Sequence, residues 1–263
     1  MSVRRIWASL STLTLAAVAA LGVAQPASAA GDNYVALGDS YSSGVGAGAT
    51  SPTAATASEA PRPTLPLGRR KRSVLIRLRR LLGRHDGSVS SGQLGALSSS
   101  TTLVSLTAGG NDVGFADVMQ TCVLQSEANC VSRVDTAVSQ MESSLPGALD
   151  SLYGQVSSRA PQAQVVVLGY PRFYQLSGSC IAGLTETERG AINNASDVLN
   201  DVLAKRAANA GFTFSSVVDE FTGHELCSGD AWIHSVSVPI INSYHPKAIG
   251  QSNGYLPAFR SVA

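Results

Sequence analysis

The stretch Tyr34-Val35-Ala36-Leu37-Gly38-Asp39-Ser40-Tyr41-Ser42-Ser43-Gly44 decides how this chain is read. Tyr34 to Leu37 is an apolar run with the length of a short buried strand. It breaks into Gly38-Asp39-Ser40, with more Ser and Gly behind, so a serine hydroxyl stands at the strand's carboxyl end. In open α/β sheets that edge is where ligands bind. Serine is a weak nucleophile alone. It needs a base within hydrogen-bond reach and donors for the oxyanion it creates.

Working outward, strand and helix patterns alternate. Thr102 to Leu106 reads as a second strand, closed by the tight turn Thr107-Ala108-Gly109-Gly110-Asn111-Asp112. Val131 to Ser158 carries apolar residues at helical spacing, and Pro146 is expected to split or kink that helix. Gln164 to Tyr170 is a continuous apolar run, suited to a central parallel strand covered on both faces. Thr185 and Glu188 have the spacing of a capping box, opening a helix that runs to about Asn209 and ends at Gly211. Phe212 to Asp219 reads as another strand, and Ser243 to Ala258 holds a last motif and a short helix. This order predicts an α/β fold: a central parallel sheet with helices on both faces.

The 263 residues suffice for one large domain or two small ones, and no internal repeat is present. A formal net charge of +1 gives no global attraction to nucleic acid or to anionic membrane. Residues 1–29 read as a secretory signal peptide: Arg4 and Arg5, an apolar Leu10 to Val23, and the cleavage pattern Ala27-Ser28-Ala29. That apolar run is short for a membrane anchor. The mature, secreted chain is expected to span 30–263, without stable membrane insertion. Export permits disulfides, and Cys122, Cys130, Cys180 and Cys227 allow three pairings. Cys122 and Cys130 are near enough to close a small loop, which leaves Cys180 for Cys227. Zinc is the rival, but no C-x-x-C spacing occurs. Between 49 and 87 the composition changes. Nine of the 19 Lys+Arg lie from Arg62 to Arg84, with leucines at helical spacing. A solvated helix or insert is the leading reading there, and an anionic-lipid patch the bolder one.

The base is expected to be a histidine, whose pKa suits proton transfer near neutrality. The chain offers His85, His224, His234 and His245. His245 stands in Ser243-Tyr244-His245-Pro246-Lys247-Ala248, where Pro246 is placed at the first position of a helix, holding His245 on the loop before it. The Ser40 N–H and the Asn111 side-chain amide are the candidate oxyanion donors. A turn role is the plainer reading of Asn111.

Gly38-Asp39-Ser40-Tyr41, then Gly109-Gly110-Asn111-Asp112, then His245-Pro246 resemble the sequence blocks of the GDSL (SGNH) hydrolases. The match is closest to their secreted actinomycete lipases, esterases and phospholipases A1. Val165 to Arg172 and His224 to Cys227 are similar to the same subgroup. The resemblance implies a flavodoxin-like three-layer α/β/α sandwich. It implies Ser40 as nucleophile, His245 as general base, and the Ser40 N–H and Asn111 as oxyanion donors. It also implies the disulfides Cys122–Cys130 and Cys180–Cys227, no metal and no organic cofactor. The expected substrate is a lipid or other small carboxylic ester, handled by a monomer that binds no nucleic acid.

Two departures from the family pattern stand out. Many members carry an Asp three residues before the histidine, where this chain has Asn242. A backbone carbonyl near Asn242 or Ser243 is then expected to orient the imidazole, giving a Ser–His dyad. The family's second block, with a glycine N–H donor, belongs within 49–87, where Gly83 is nearest in position but lacks the context. Residues 81–87 can be back-translated, with GC-rich codons, as CTG CTC GGG CGC CAC GAC GG. One base over, the same letters read TGC TCG GGC GCC ACG ACG G, which encodes Cys-Ser-Gly-Ala-Thr-Thr-Gly, the run the family carries. We therefore read 49–87 as a frame-shifted stretch of a GC-rich gene. Resequencing that finds a continuous frame without those codons overturns this. The expected activity is a secreted serine ester hydrolase acting on lipids. The alternatives are a carbohydrate O-acetyl esterase, or an inactive binding protein if 49–87 breaks the oxyanion hole.

Overall fold

A computed structural model of the chain describes residues 33–48, 89–176, 180 and 183–263. The expected signal peptide, the basic segment, Gly83 and His85 lie outside the described residues. Residues Asp32–Ala263 form one contact-connected unit.

Four parallel strands line up in sequence order: β1 (Tyr34–Gly38), β2 (Leu103–Thr107), β3 (Gln164–Leu168) and β4 (Thr213–Ser215). Gly38 stands opposite Thr107, and Leu106 opposite Val167, so the carboxyl ends of β1, β2 and β3 share one edge. β3 buries Val165, Val166, Val167 and Leu168 in succession, as a strand covered on both faces must. The central parallel sheet flanked by helices is the α/β architecture anticipated.

The helices are α1 (Ser91–Leu94), α2 (Phe115–Leu124), α3 (Glu127–Ser143), α4 (Leu145–Arg159), α5 (Glu186–Asn209), α6 (Val218–Phe221), α7 (Ala248–Gly250) and α8 (Leu256–Arg260). Pro146 falls in the first turn of α4 and separates it from α3, where a missing N–H leaves no helical bond broken. Thr185 Oγ1 accepts the Glu188 N–H at 3.2 Å while Glu188 Oε2 accepts the Thr185 N–H at 2.7 Å, so the capping box is complete. Gly211, at φ 74°, turns the chain out of α5.

Two local expectations fail. The strand drawn from Phe212 to Asp219 shrinks to Thr213–Ser215, because Ser216 Oγ accepts the Val218 N–H at 3.1 Å and starts α6. Pro246 does not open a helix. It faces Ile233 in an isolated antiparallel bridge, flanked by His234 N–H to His245 O at 2.9 Å and Lys247 N–H to Trp232 O at 2.7 Å. Proline has no N–H to give, so it takes the rung that its neighbours leave free. The helix α2, a stretch to which the sequence reading assigned no element, follows the glycine-rich turn directly and is entered through Gly114 at φ 73°.

The cysteines join as Cys122–Cys130 and Cys180–Cys227, the pairs implied by the resemblance. With all four cysteines in disulfides, the zinc alternative has no thiolates. Among the described residues no helix is long and apolar enough to cross a membrane.

Candidate active site

Gly38 ends β1 at φ 133°, a conformation that side chains disfavour. A Cβ there would also lie 2.3 Å from the Thr107 carbonyl oxygen, so only glycine fits. The Gln93 side chain of α1 clamps this glycine, accepting its N–H at 2.8 Å and donating to its carbonyl at 3.0 Å. The Asp39 N–H continues the ladder to Thr107 O at 2.9 Å. The chain then turns, and Ser40 comes out at the sheet edge.

Asp39 holds that turn. Its Oδ1 accepts the Tyr41 N–H at 2.9 Å and its Oδ2 accepts the Tyr170 hydroxyl at 2.5 Å. The Tyr170 oxygen in turn accepts the Gly110 N–H at 3.2 Å. One carboxylate–phenol pair thus ties the loops after β1, β2 and β3 together. Burial pushes the Asp39 carboxyl up to about 6, against the lowering effect of the hydrogen bonds from Tyr170 and the backbone.

His245 reaches Ser40 from the far end of the chain. Its Nε2 lies 2.6 Å from Ser40 Oγ, and its Nδ1 lies 3.0 Å from the Ser243 carbonyl oxygen. A carbonyl accepts only, so Nδ1 carries the proton and Nε2 is left as acceptor for the serine hydroxyl. Tyr244, just before it, sits in the left-handed region at φ 62°. Its carbonyl accepts the Tyr41 hydroxyl at 2.5 Å, which fixes that strained residue. The imidazole also packs on the Tyr41 ring, with centroids 5.1 Å apart. Burial lowers the His245 pKa from its ordinary value, with the Ser243 carbonyl partly opposing the shift. At neutral pH the ring is therefore uncharged and basic.

Ser40 and Asn111 line one cleft of about 600 Å³, counted with its open mouth. Its depth is apolar: Val118 from α2, Ala137 and Met141 from α3, Ile192 and Leu199 from α5. Asn111 follows Gly109 and Gly110 beyond β2, the position the sequence reading gave it. His224 and His234 serve elsewhere. His224 stacks on Trp232 at 3.6 Å, and His234 Nε2 bonds the Gly46 carbonyl at 2.7 Å. Tyr170 and the α5 asparagines were not singled out from the sequence. Asn200 exchanges two 2.8 Å bonds with the Tyr170 backbone. Asn193 accepts the Phe173 and Tyr174 N–H groups at 2.9 and 3.0 Å and donates to Tyr174 O at 2.7 Å. The only signal was their spacing of seven, two helical turns, on the face that also carries Ile192 and Leu199.

The chain matches the GDSL-like Lipase/Acylhydrolase family over residues 36–252, a span that contains Ser40, Asn111 and His245. It is 54% identical over 268 residues to Lipase 1 of Streptomyces coelicolor, covering 98% of each protein. It also resembles the crystal structure of phospholipase A1 from Streptomyces albidoflavus NA297, with a TM-score of 0.72 and 50% identity over 88% of this chain and 98% of that one. The extracellular lipase of Streptomyces rimosus gives a TM-score of 0.71 at 49% identity, covering 88% of this chain and 99% of that one. With a family match over most of its length and relatives at about half identity, the chain belongs to the GDSL-like Lipase/Acylhydrolase family and is an ester hydrolase.

Proposed function

We propose that this protein is a secreted hydrolase of lipid carboxylic esters that works through an acyl-enzyme on Ser40. The observation that carries the reading is the 2.6 Å contact between His245 Nε2 and Ser40 Oγ, with Nδ1 anchored on a carbonyl. Ser40 Oγ attacks the acyl carbon as His245 takes its proton. The oxyanion so formed faces the Ser40 N–H and the Asn111 amide. His245 then protonates the leaving alcohol, and an acyl-enzyme remains. Water enters, gives its proton to His245 and attacks the same carbon, and collapse of the second intermediate releases the acid and restores Ser40. No cofactor takes part in these steps. A third donor, at Gly83 or elsewhere in 49–87, lies outside the described residues.

The apolar depth of the cleft favours a hydrocarbon acyl chain over the acetyl group of a sugar ester. The mature chain, 30–263 after removal of a signal peptide at 1–29, is the species expected outside the cell. A relative described as extracellular supports this.

The test is hydrolysis of p-nitrophenyl esters from acetate to palmitate by the mature chain beside Ser40→Ala. Turnover that rises beyond acetate and falls at least a thousandfold, roughly, in Ser40→Ala is expected. Ser40-independent turnover overturns the nucleophile, and a maximum at acetate favours the deacetylase.

A further inference from the structure

The chain just before His245 carries a feature that the reaction does not use. From Ala231 to Pro246 there is no Asp, Glu, Lys or Arg. Within this stretch Val236, Val238, Ile240 and Ile241 are 53%, 99%, 72% and 42% exposed. Single exposed aliphatic residues are ordinary on a soluble protein, but four within six positions form a patch. The patch is held out by its own loop. The Ser237 N–H donates to Ser243 Oγ at 2.9 Å. The Asn242 and Ser243 N–H groups donate to the Pro239 and Ile240 carbonyls, each at 3.0 Å. A 3₁₀ turn over Ile240–Asn242 closes the loop.

The base of this loop is part of the active site. The Tyr244 N–H reaches His234 O at 2.9 Å, and the His234 N–H reaches His245 O at 2.9 Å. The same base presents the Ser243 carbonyl that orients the imidazole. The apolar tip and the histidine are therefore two ends of one pinned element.

We propose that the loop 235–243 docks the enzyme on the surface of aggregated, net-uncharged lipid, seating Val238 and Ile240 in the acyl layer beside the catalytic pair. A loop without formal charge has no ion pair to offer an anionic headgroup, whereas aliphatic tips gain from leaving water for hydrocarbon. Its continuity with the His245 loop makes a lipid surface, which also holds the ester, the occupant that fits. The proposal rests on the lipid-ester reading only for the identity of that surface.

The experiment uses the mature chain with Ser40→Ala, so that adsorption is read without hydrolysis. Sedimentation with phosphatidylcholine vesicles is followed at low and high salt. Adsorption unchanged by salt, and roughly a hundredfold weaker in Val238→Ser/Ile240→Ser, is the expected result. With Ser40 restored, Val238→Ser/Ile240→Ser hydrolyses dissolved p-nitrophenyl butyrate at the parent rate and loses turnover on vesicles. Equal adsorption of parent and variant overturns the proposal, as does no adsorption at all. Adsorption confined to phosphatidylglycerol vesicles and abolished by salt overturns it in favour of the basic residues 69–84. Self-association of the parent that Val238→Ser/Ile240→Ser removes assigns the patch to a second copy of the chain instead. A protein that adsorbs as expected yet cleaves no ester sinks the lipid-ester reading and leaves the loop standing.

Discussion

His245 is oriented by a peptide carbonyl, where many relatives in its family use a carboxylate. The carbonyl fixes the tautomer as well as a carboxylate would, but it adds no charge to hold an imidazolium. Burial moves the pKa the same way, downward. The acid limb of kcat/KM is therefore expected to lie below pH 6.5, the value of an unperturbed histidine. The sign for stability is the same. The unfolded chain takes its proton near 6.5 while the folded chain still refuses it, so this group makes folding less favourable as pH falls through that window. Burial pushes the Asp39 carboxyl, beside the same turn, up to about 6, and Asp39→Asn separates its part from that of His245. Since Ser243, not the Asn242 side chain, accepts from Nδ1, Asn242→Ala is expected to keep kcat within roughly tenfold of the parent. A steady-state pH series on both variants checks this. An acid limb above 6.5, or a thousandfold loss in Asn242→Ala, contradicts the dyad.

At the scale of the element, α5 does more than cover the sheet. Asn193 and Asn200, both buried, bind the backbone after β3 from two helical turns apart. They supply the hydrogen bonds that this irregular segment cannot make in the sheet. Through them α5 sets where Tyr170 stands, and Tyr170 holds both Asp39 and Gly110. Asn200→Ala strands a buried N–H and a buried carbonyl. It is expected to cost on the order of 3 kcal/mol, read as a lower urea midpoint at unchanged slope. The exposed Asp201→Ala, one residue on, is the control, expected within about 0.5 kcal/mol of the parent. Equal midpoints for the two variants would show that the asparagine clamp carries no stability.

For the whole molecule, the two disulfides constrain loops of different size. Their cysteines are 8 residues apart in Cys122–Cys130 and 47 apart in Cys180–Cys227. Loop-closure entropy assigns ~2.5 kcal/mol to the first and ~4 kcal/mol to the second. Replacing both cysteines by alanine, one pair at a time, is expected to lower stability in that order in equilibrium unfolding. The reverse order would mean that packing outweighs chain entropy, and the Cys122–Cys130 pair, buried between α2 and α3, is where that would arise. The cleft belongs to this scale too. Its walls come from α2, α3 and α5 and exist only where the three helices meet below the sheet edge.

The chain by itself determined the strands with continuous apolar runs, the α3–α4 break at Pro146, the capping box of α5 and the Ser40–His245 pairing. The first three are written in local chemistry: an apolar period, a missing N–H, a side chain that bonds its own backbone; the Ser40–His245 pairing rests on the resemblance carried by three sequence blocks in order. Only the tertiary structure decided that Ser243 supplies the acceptor for Nδ1. It also decided that Pro246 sits in a bridge, that Asn193 and Asn200 replace the sheet ladder, that Tyr170 joins three loops, and that Val238 and Ile240 stay in water. Most of these contacts join residues distant in sequence, 131 positions apart for Asp39 and Tyr170, while Ser243 and His245 are only 2 apart and depend on the loop conformation. Where a motif names both ends, as for Ser40 and His245, the contact can be foreseen. Where an ordinary Asn, Tyr or Val meets its partner only through the packing of other elements, local pattern holds no trace of it.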